Sequence, residues 1–259
     1  MHPFSRLIHA PESAIPSART INPPTYRGST VLFASHADFI KAGQGEYDGI
    51  TYGTDRLPQQ RILEAALRDL EGAALTRVFP SGISAISETL LAFVRAGDHV
   101  LVCENVYGPT LRFCNEVLGR LGVTTQTLPP DAGADIAAYL RPETRLIFLE
   151  SPGSLTFELQ DIPAITKIAR QRGIVTVLDN TWATPLYLDP FALGVDVSIH
   201  SITKYICGHS DLLMGSASTT EAHAETLAKA YACREIYAAP EDGQLALRGI
   251  KTLPLRMKQ

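Results

Sequence analysis

The sequence lacks the features that mark several special classes of protein. Its 259 residues contain only four cysteines and no CxxC pair, so neither a disulfide framework nor a zinc site is predicted, and reduced thiols are expected. No run approaches the roughly 18 apolar residues of a membrane span, and the N-terminus lacks the apolar core of a signal peptide. The net charge is -4 without a basic stripe, which argues against nucleic-acid binding. We therefore expect a cytoplasmic protein without a membrane, nucleic-acid or metal partner.

The hydrophobic pattern predicts an α/β fold. Apolar runs at 99–104, 145–150, 174–179 and 195–201 alternate with helical patterns such as 59–72 and 162–173. This alternation predicts βαβ units and a mostly parallel sheet covered on both faces.

The same sequence pattern divides the chain into three predicted segments. Residues 1–45 are rich in proline and small polar residues, and we expect an N-terminal arm that either lies across a partner subunit or is a disordered tail. Residues 46–240 are predicted to form the main domain. The pattern of 244–259 predicts a helix without a stop signal, so 241–259 is predicted to begin a further, incomplete domain.

One lysine lies in an unusual place, just after the apolar run 195–201. Lysine is rarely buried without a partner because its charge is costly to desolvate, so we expect the amine of Lys204 to be paired or chemically used. The ends of other runs are followed by Tyr107 and Asp179, and Ser81-Gly82-Ile83 begins a predicted helix. Ligands of open parallel sheets bind beyond the carboxyl ends of the strands, so these residues are expected at one rim.

Such a rim would offer an anion site at a helix start, an aromatic ring, a carboxylate and an amine. Pyridoxal phosphate (PLP) needs these groups: donors for its phosphate, a partner for its ring, a carboxylate for its pyridine nitrogen and a lysine for its aldehyde. Each residue also has an ordinary alternative. Asp179 could cap a helix or bind a metal, Tyr107 could pack at the rim, and Ser81-Gly82 could form a common turn. The order of the residues together, rather than any one of them, favours the cofactor.

The motifs SITKY (201–205) and DNTWA (179–183) resemble the transsulfuration (Cys/Met metabolism) family of PLP-dependent enzymes, and the resemblance covers nearly everything after residue 20. ESPGS (150–154) with GHSD (208–211) resembles the bacterial β-lyase branch of that family. The resemblance implies the three-layer α/β large domain of fold type I, similar to aspartate aminotransferase, with a mostly parallel sheet and a smaller C-terminal domain. It also implies a homotetramer built from two tight dimers.

The resemblance further implies the roles of individual residues. Lys204 would carry PLP as a Schiff base and move the proton, Asp179 would pair with the pyridine nitrogen, and Tyr107 would stack on the ring. The phosphate would be held by Gly82, Ile83, Ser201 and Thr203, and Tyr52 would reach the site of a neighbouring subunit. The implied reaction is α,β-elimination, which releases a thiol, pyruvate and ammonia from an amino-acid thioether such as cystathionine. A γ-synthase, γ-lyase or sulfhydrylase, or a PLP-binding fragment without activity, remains an alternative.

Two positions depart from the family pattern. The family usually carries an arginine two residues after the tyrosine, but this position is Thr54; Arg56 either replaces that arginine or is an ordinary surface residue. In addition, the chain stops where the C-terminal domain of the family begins, so no residue can be assigned to the substrate carboxylate. We therefore expect this chain alone to be a poor or inactive enzyme.

Overall fold

A mixed seven-stranded sheet forms the middle of the protein in the computed structural model, which describes residues 21–259. The strands follow the order β1-β7-β6-β5-β4-β2-β3 across the sheet. Their bounds are β1 Leu75–Phe79, β2 His99–Cys103, β3 Thr124–Leu128, β4 Thr144–Glu150, β5 Val175–Asp179, β6 Val197–Ser201 and β7 Gly215–Thr219. Strands β2 to β6 are parallel, whereas β7 runs antiparallel to both of its neighbours, β1 and β6. The mostly parallel sheet predicted from the sequence is confirmed.

Helices cover both faces of this sheet. Their bounds are α1 His36–Gln44, α2 Pro58–Glu71, α3 Gly82–Phe93, α4 Gly108–Phe113, α5 Ile162–Gln171, α6 Thr184–Tyr187, α7 Glu221–Cys233, α8 Pro240–Ile250 and α9 Leu253–Arg256. The core contacts place α3, α4 and α7 on one face and α2, α5, α8 and α9 on the other. Side chains of β4 alternate between the two faces, as a strand buried on both sides requires. The three-layer α/β architecture is therefore the one expected.

Local sequence explains where the helices begin and end. Helix α2 begins with Pro58, its Gln60 side chain accepts a hydrogen bond from the Leu57 N–H, and Gly72 ends it at a φ of 68°. Residues 109–122 do not form one continuous α-helix, because α4 gives way to a π-type turn at Cys114–Leu118 and a 3-10 turn at Gly119–Leu121. The single helix predicted for 244–259 is wrong: α8 ends at Ile250, and a turn separates it from α9.

The predicted segments 1–45 and 241–259 can be compared with the structure only in part. Residues 1–20 of the predicted arm lie outside the described residues, and α1, in the rest of the arm, contributes no buried residue. Helices α8 and α9 share a hydrophobic cluster with α2 and with the chain around Ile202, so residues 240–256 pack directly on the main domain. The start of a further domain at residue 241 stays a prediction. None of the helices within residues 21–259 is both long and apolar enough to cross a membrane.

A buried acid–histidine pair fastens α2 to β6. Glu71 Oε1 lies 2.7 Å from His200 Nε2 and accepts a hydrogen bond from Ser198 Oγ at 2.6 Å. Burial alone would raise the pKa of Glu71, but the charge and hydrogen bond of His200 and the Ser198 hydroxyl hold that pKa below its usual value. Because the pKa is lowered on folding, this stabilisation is present above the ordinary pKa of glutamate and is lost as the pH falls through the folded value.

We predict that Glu71→Ala lowers the free energy of unfolding by about 3–5 kcal/mol at pH 7, because it leaves buried polar groups without a partner. Urea denaturation of the variant and of the unchanged protein measures the difference. Glu225→Ala is the matched control, since Glu225 pairs with Lys229 on the exposed surface of α7 and its loss should leave the midpoint nearly unchanged. Equal midpoints for all three proteins would refute a stabilising role for the pair.

Candidate active site

Lys204 and Tyr107 come together at the carboxyl edge of the sheet. Lys204 follows β6 by three residues, and its Nζ lies 5.4 Å from the centroid of the Tyr107 ring. The lysine also lines an open pocket of about 870 Å³ with Tyr205, Asp211 and Asp242. The side chain of Lys204 is exposed, so the sequence-based expectation of a buried amine is wrong. Its strand is buried, but the turn after the strand carries the amine out to the open side of the pocket.

Asp179 closes β5 on the same edge. The residue is 7% exposed, and its Oδ1 accepts a hydrogen bond from the Thr181 N–H at 3.0 Å. The Thr181 hydroxyl in turn accepts from the Ser201 N–H at 2.8 Å, which ties the end of β5 to the end of β6. No donor within residues 21–259 reaches the other carboxylate oxygen of Asp179. A bound ligand with a protonated ring nitrogen can therefore use that oxygen as its acceptor.

Glu150, the last residue of β4, is a site residue that the sequence reasoning missed. It pairs with Asp179 in the sheet register, its Oε2 accepts a hydrogen bond from the Tyr107 N–H at 2.7 Å, and its Oε1 accepts from Ser154 Oγ at 2.5 Å. Burial first, and then the charge of Asp179, raises the pKa of Glu150 to about 7. An acidic residue at the end of an otherwise apolar strand was the signal available in the sequence.

The start of α3 forms an anion site beside Ser201. The Ser81 hydroxyl caps the helix by accepting from the Ser84 N–H at 3.1 Å, while the N–H groups of Gly82 and Ile83 have no acceptor among the described residues. A Cβ on Gly82 would lie 2.8 Å from Ser201 Oγ, so only glycine allows this close approach. The Ser201 hydroxyl also has no hydrogen-bond partner in the described part of the chain. Two N–H groups, one hydroxyl and the positive end of a helix suit a phosphate.

Thr203 is placed differently from the other predicted phosphate ligands. Its hydroxyl accepts a hydrogen bond from the Met214 N–H at 3.0 Å and donates to the Met214 carbonyl at 3.2 Å. These bonds hold the turn that carries Lys204 against the start of β7. Contact with a phosphate would require Thr203 to redirect its proton, and that role stays a proposal.

Tyr52 and Arg56 lie away from Lys204 in the single chain. Both line a second pocket of about 680 Å³, which shares no lining residue with the pocket of Lys204. The guanidinium of Arg56 lies 3.2 Å from Glu64 Oε2, and the same carboxylate oxygen lies 3.4 Å from Arg77. Arg56 is therefore paired within its own chain, and its replacement of the arginine expected at Thr54 stays a prediction.

Arg256 of α9 holds the turn that follows Lys204. Its Nη1 donates to the Tyr205 carbonyl at 2.6 Å, and its Nη2 donates to the carbonyls of Ile206 at 3.2 Å and Gly249 at 3.1 Å. Gly208, at a φ of 79°, packs so closely that a Cβ there would lie 2.2 Å from Arg256 Nη1. The guanidinium thus connects the lysine turn to α8 and α9.

The donor set fits PLP. The start of α3 and Ser201 suit its phosphate, the Tyr107 ring suits its ring, Asp179 suits the ring nitrogen, and the accessible amine of Lys204 suits its aldehyde.

Comparison with known families and proteins points to the same cofactor. Residues 5–259 match the family model of the Cys/Met metabolism PLP-dependent enzymes. A Rhizobium johnstonii protein named as a candidate cystathionine beta-lyase is 44% identical over 98% of this chain. The cystathionine beta-lyase of Bordetella avium is 39% identical over 99% of this chain.

A solved structure shows the same fold. Cystathionine gamma-lyase from Lactobacillus plantarum, complexed with L-serine, matches 98% of this chain with a TM-score of 0.89 and 32% sequence identity. The present chain spans 63% of the Rhizobium relative, 65% of the Bordetella relative and 65% of the Lactobacillus chain. The similarity therefore concerns somewhat less than two thirds of each of these proteins.

We predict that Gly82→Ala weakens PLP binding about tenfold, because the new methyl group displaces the Ser201 hydroxyl and removes a hydrogen bond to a charged group. An absorbance titration with PLP measures the dissociation constant. Gly119→Ala serves as the control, since a Cβ at Gly119 meets nothing within 4 Å. An unchanged dissociation constant in Gly82→Ala would show that the phosphate binds elsewhere.

Proposed function

The chain belongs to the Cys/Met metabolism family of PLP-dependent enzymes, and from this premise we propose that its protein is a carbon–sulfur lyase that cleaves L-cystathionine by α,β-elimination. The products are homocysteine, pyruvate and ammonia. The observation that carries the proposal is the position of the Lys204 amine over the ring of Tyr107, whose backbone N–H bonds Glu150, the neighbour of Asp179 in the sheet.

Each side chain of the site has a distinct task in this proposal. Tyr107 presents its ring face to the cofactor ring, and Asp179 accepts a hydrogen bond from the protonated ring nitrogen. Gly82, Ile83 and Ser201 donate to the phosphate, with Thr203 as a further donor if it releases Met214. When bound, PLP supplies an electron sink for the charge that develops at the α-carbon of the substrate.

Lys204 moves the proton. Its amine would hold the cofactor aldehyde in the resting protein and, once free, would remove the proton from the α-carbon of the substrate. Its Nζ lies over the Tyr107 ring, 5.4 Å from the centroid. The open side of the pocket then gives the thioether side chain a path to the amine.

The assembly is also part of the proposal. Tyr52 is about half exposed and lies outside the pocket of Lys204, which suits a residue that serves the site of a neighbouring subunit. We propose a homo-oligomer, a dimer of dimers, in which Tyr52 approaches the cofactor of the adjacent copy. Arg56 would contact the cofactor of the adjacent copy together with Tyr52 only if its ion pair with Glu64 were broken.

A γ-lyase is the second candidate function. The solved structure at 32% identity is a cystathionine gamma-lyase, so the fold and site accommodate γ-elimination as well. The β-lyase proposal takes precedence because relatives with 44% and 39% identity carry names of cystathionine beta-lyases.

We predict that Lys204→Ala lowers kcat by at least about 10²–10⁴-fold, the usual contribution of a positioned proton-transfer group. The variant should still bind PLP, but borohydride should no longer attach the cofactor to the peptide that contains residue 204. Lys167→Ala, on the exposed side of α5, is the matched control and should behave like the unchanged protein. Borohydride labelling of a different lysine would exclude Lys204 as the reactive amine.

Product analysis tests the direction of the elimination. The protein to which this chain belongs, purified and supplied with PLP and L-cystathionine, should form pyruvate, because the bond to sulfur at the β-carbon breaks. Formation of 2-oxobutyrate would establish γ-elimination instead. A visible cofactor absorbance with neither product would identify a PLP-binding protein without lyase activity.

A further inference from the structure

A second carboxylate lies in the site, and the proposed roles do not use it. Glu150 is 9% exposed, and such burial is costly for a charged group unless it is paired. The side chain has two donors, the Tyr107 N–H and the Ser154 hydroxyl, but no arginine or lysine within hydrogen-bond distance among residues 21–259. The cost of burying this carboxyl suggests that the Glu150 side chain has a function in the site.

The first reason is position. Tyr107 lies immediately before α4, and its backbone N–H donates to Glu150 Oε2 at 2.7 Å. Tyr107 is 40% exposed at the edge of the sheet. The bond to Glu150 is a direct link between β4 and the backbone of the residue that carries the ring.

The second reason is charge. Glu150 and Asp179 are paired neighbours at the ends of β4 and β5, and two adjacent carboxylates resist simultaneous ionisation. The charged groups that act on Glu150 are Asp179 from β5 and Lys204 from the turn after β6. Asp179 and burial raise the pKa of Glu150 to about 7, while Lys204 opposes the rise.

We propose that Glu150 is a positioning residue that fixes the backbone of Tyr107 and, while neutral, adds no second negative charge beside Asp179. The proposal deepens the proposed function, because a cofactor ring nitrogen needs Asp179 ionised and the Tyr107 ring in place. In neutral form Glu150 accepts from Tyr107 and leaves the pair with one charge. As the pH rises through about 7, Glu150 ionises and adds a second negative charge beside Lys204.

Two substitutions separate the two effects. Glu150→Gln keeps an oxygen acceptor for the Tyr107 N–H but removes the titrating group, whereas Glu150→Ala removes both. Glu158→Gln is the matched control, because Glu158 is an exposed carboxylate of the same loop whose contacts are Asn105 and Thr156.

The test is carboxyl ¹³C NMR of the full chain across pH 4–9, together with hydrogen exchange at the Tyr107 amide, both without added cofactor. We expect a carboxyl titration near pH 7 in the unchanged protein and in Glu158→Gln, and its absence in Glu150→Gln. Exchange at the Tyr107 amide should be at least tenfold faster in Glu150→Ala than in Glu150→Gln. Persistence of the near-neutral titration in Glu150→Gln, or equal amide exchange in the two variants, would overturn the proposal.

A titration with PLP then connects the residue to the cofactor. In the unchanged protein the affinity should change between pH 6 and pH 8, and in Glu150→Gln this change should disappear; an equal change in both proteins would count against the proposal. A protein that binds no PLP at any pH would refute the proposed function, and the NMR result on the carboxylate pair would stand independently of it.

Discussion

The parallel pairing of β4, β5 and β6 is the constraint on which the candidate site depends. This pairing sets Glu150 opposite Asp179 and Asp179 opposite Ile199, two residues before the end of β6. Because parallel strands end at the same edge, these pairings deliver two carboxylates and an amine to one place. A slip of one residue in any pairing would turn Asp179 or Glu150 to the opposite face. The register of the sheet is therefore a functional feature as well as a structural one.

The site also combines groups that favour opposite charges. The N-terminus of α3, with the N–H groups of Gly82 and Ile83 that meet no acceptor within residues 21–259, attracts an anion. Asp179 and Glu150 favour a cation or a proton. Lys204 lies over the ring of Tyr107 at the same edge of the sheet. A ligand that is anionic at one end and protonated at the other matches this field in a single orientation, so electrostatics selects both the ligand and the way it lies.

Periodicity predicted four of the seven strands and missed β1, β3 and β7. Strands β2, β4, β5 and β6 were found because their residues are buried on both faces. Strand β3, with the sequence TTQTL, lies at the edge of the sheet and is largely exposed, and β7, with the sequence GSAST, is made of small residues that let α3 approach closely. Neither gives a hydrophobic signal.

The candidate site was found in part. Lys204, Tyr107 and Asp179 were located because each follows or ends a predicted strand. Ligands bind beyond the carboxyl ends of parallel strands, so the predicted strands were enough to bring these residues together. The exposure of Lys204 and the role of Glu150 depend on the path of a turn and on a contact between β4 and the start of α4. Such tertiary contacts produce no periodic pattern in a sequence. The exposure of Lys204 and the contact of Glu150 therefore could not be predicted from the order of residues alone.

The link from Arg256 to the turn after Lys204 gives the amine a second mechanical support, separate from the sheet. The carbonyls of Tyr205 and Ile206 on one side and Gly249 on the other accept from one guanidinium, so the lysine turn is tied to the end of α8 and to the end of α9. A displacement of α9 would therefore be transmitted to the turn that carries the base. Residues more than forty positions beyond the lysine in the chain thus help to set its reach.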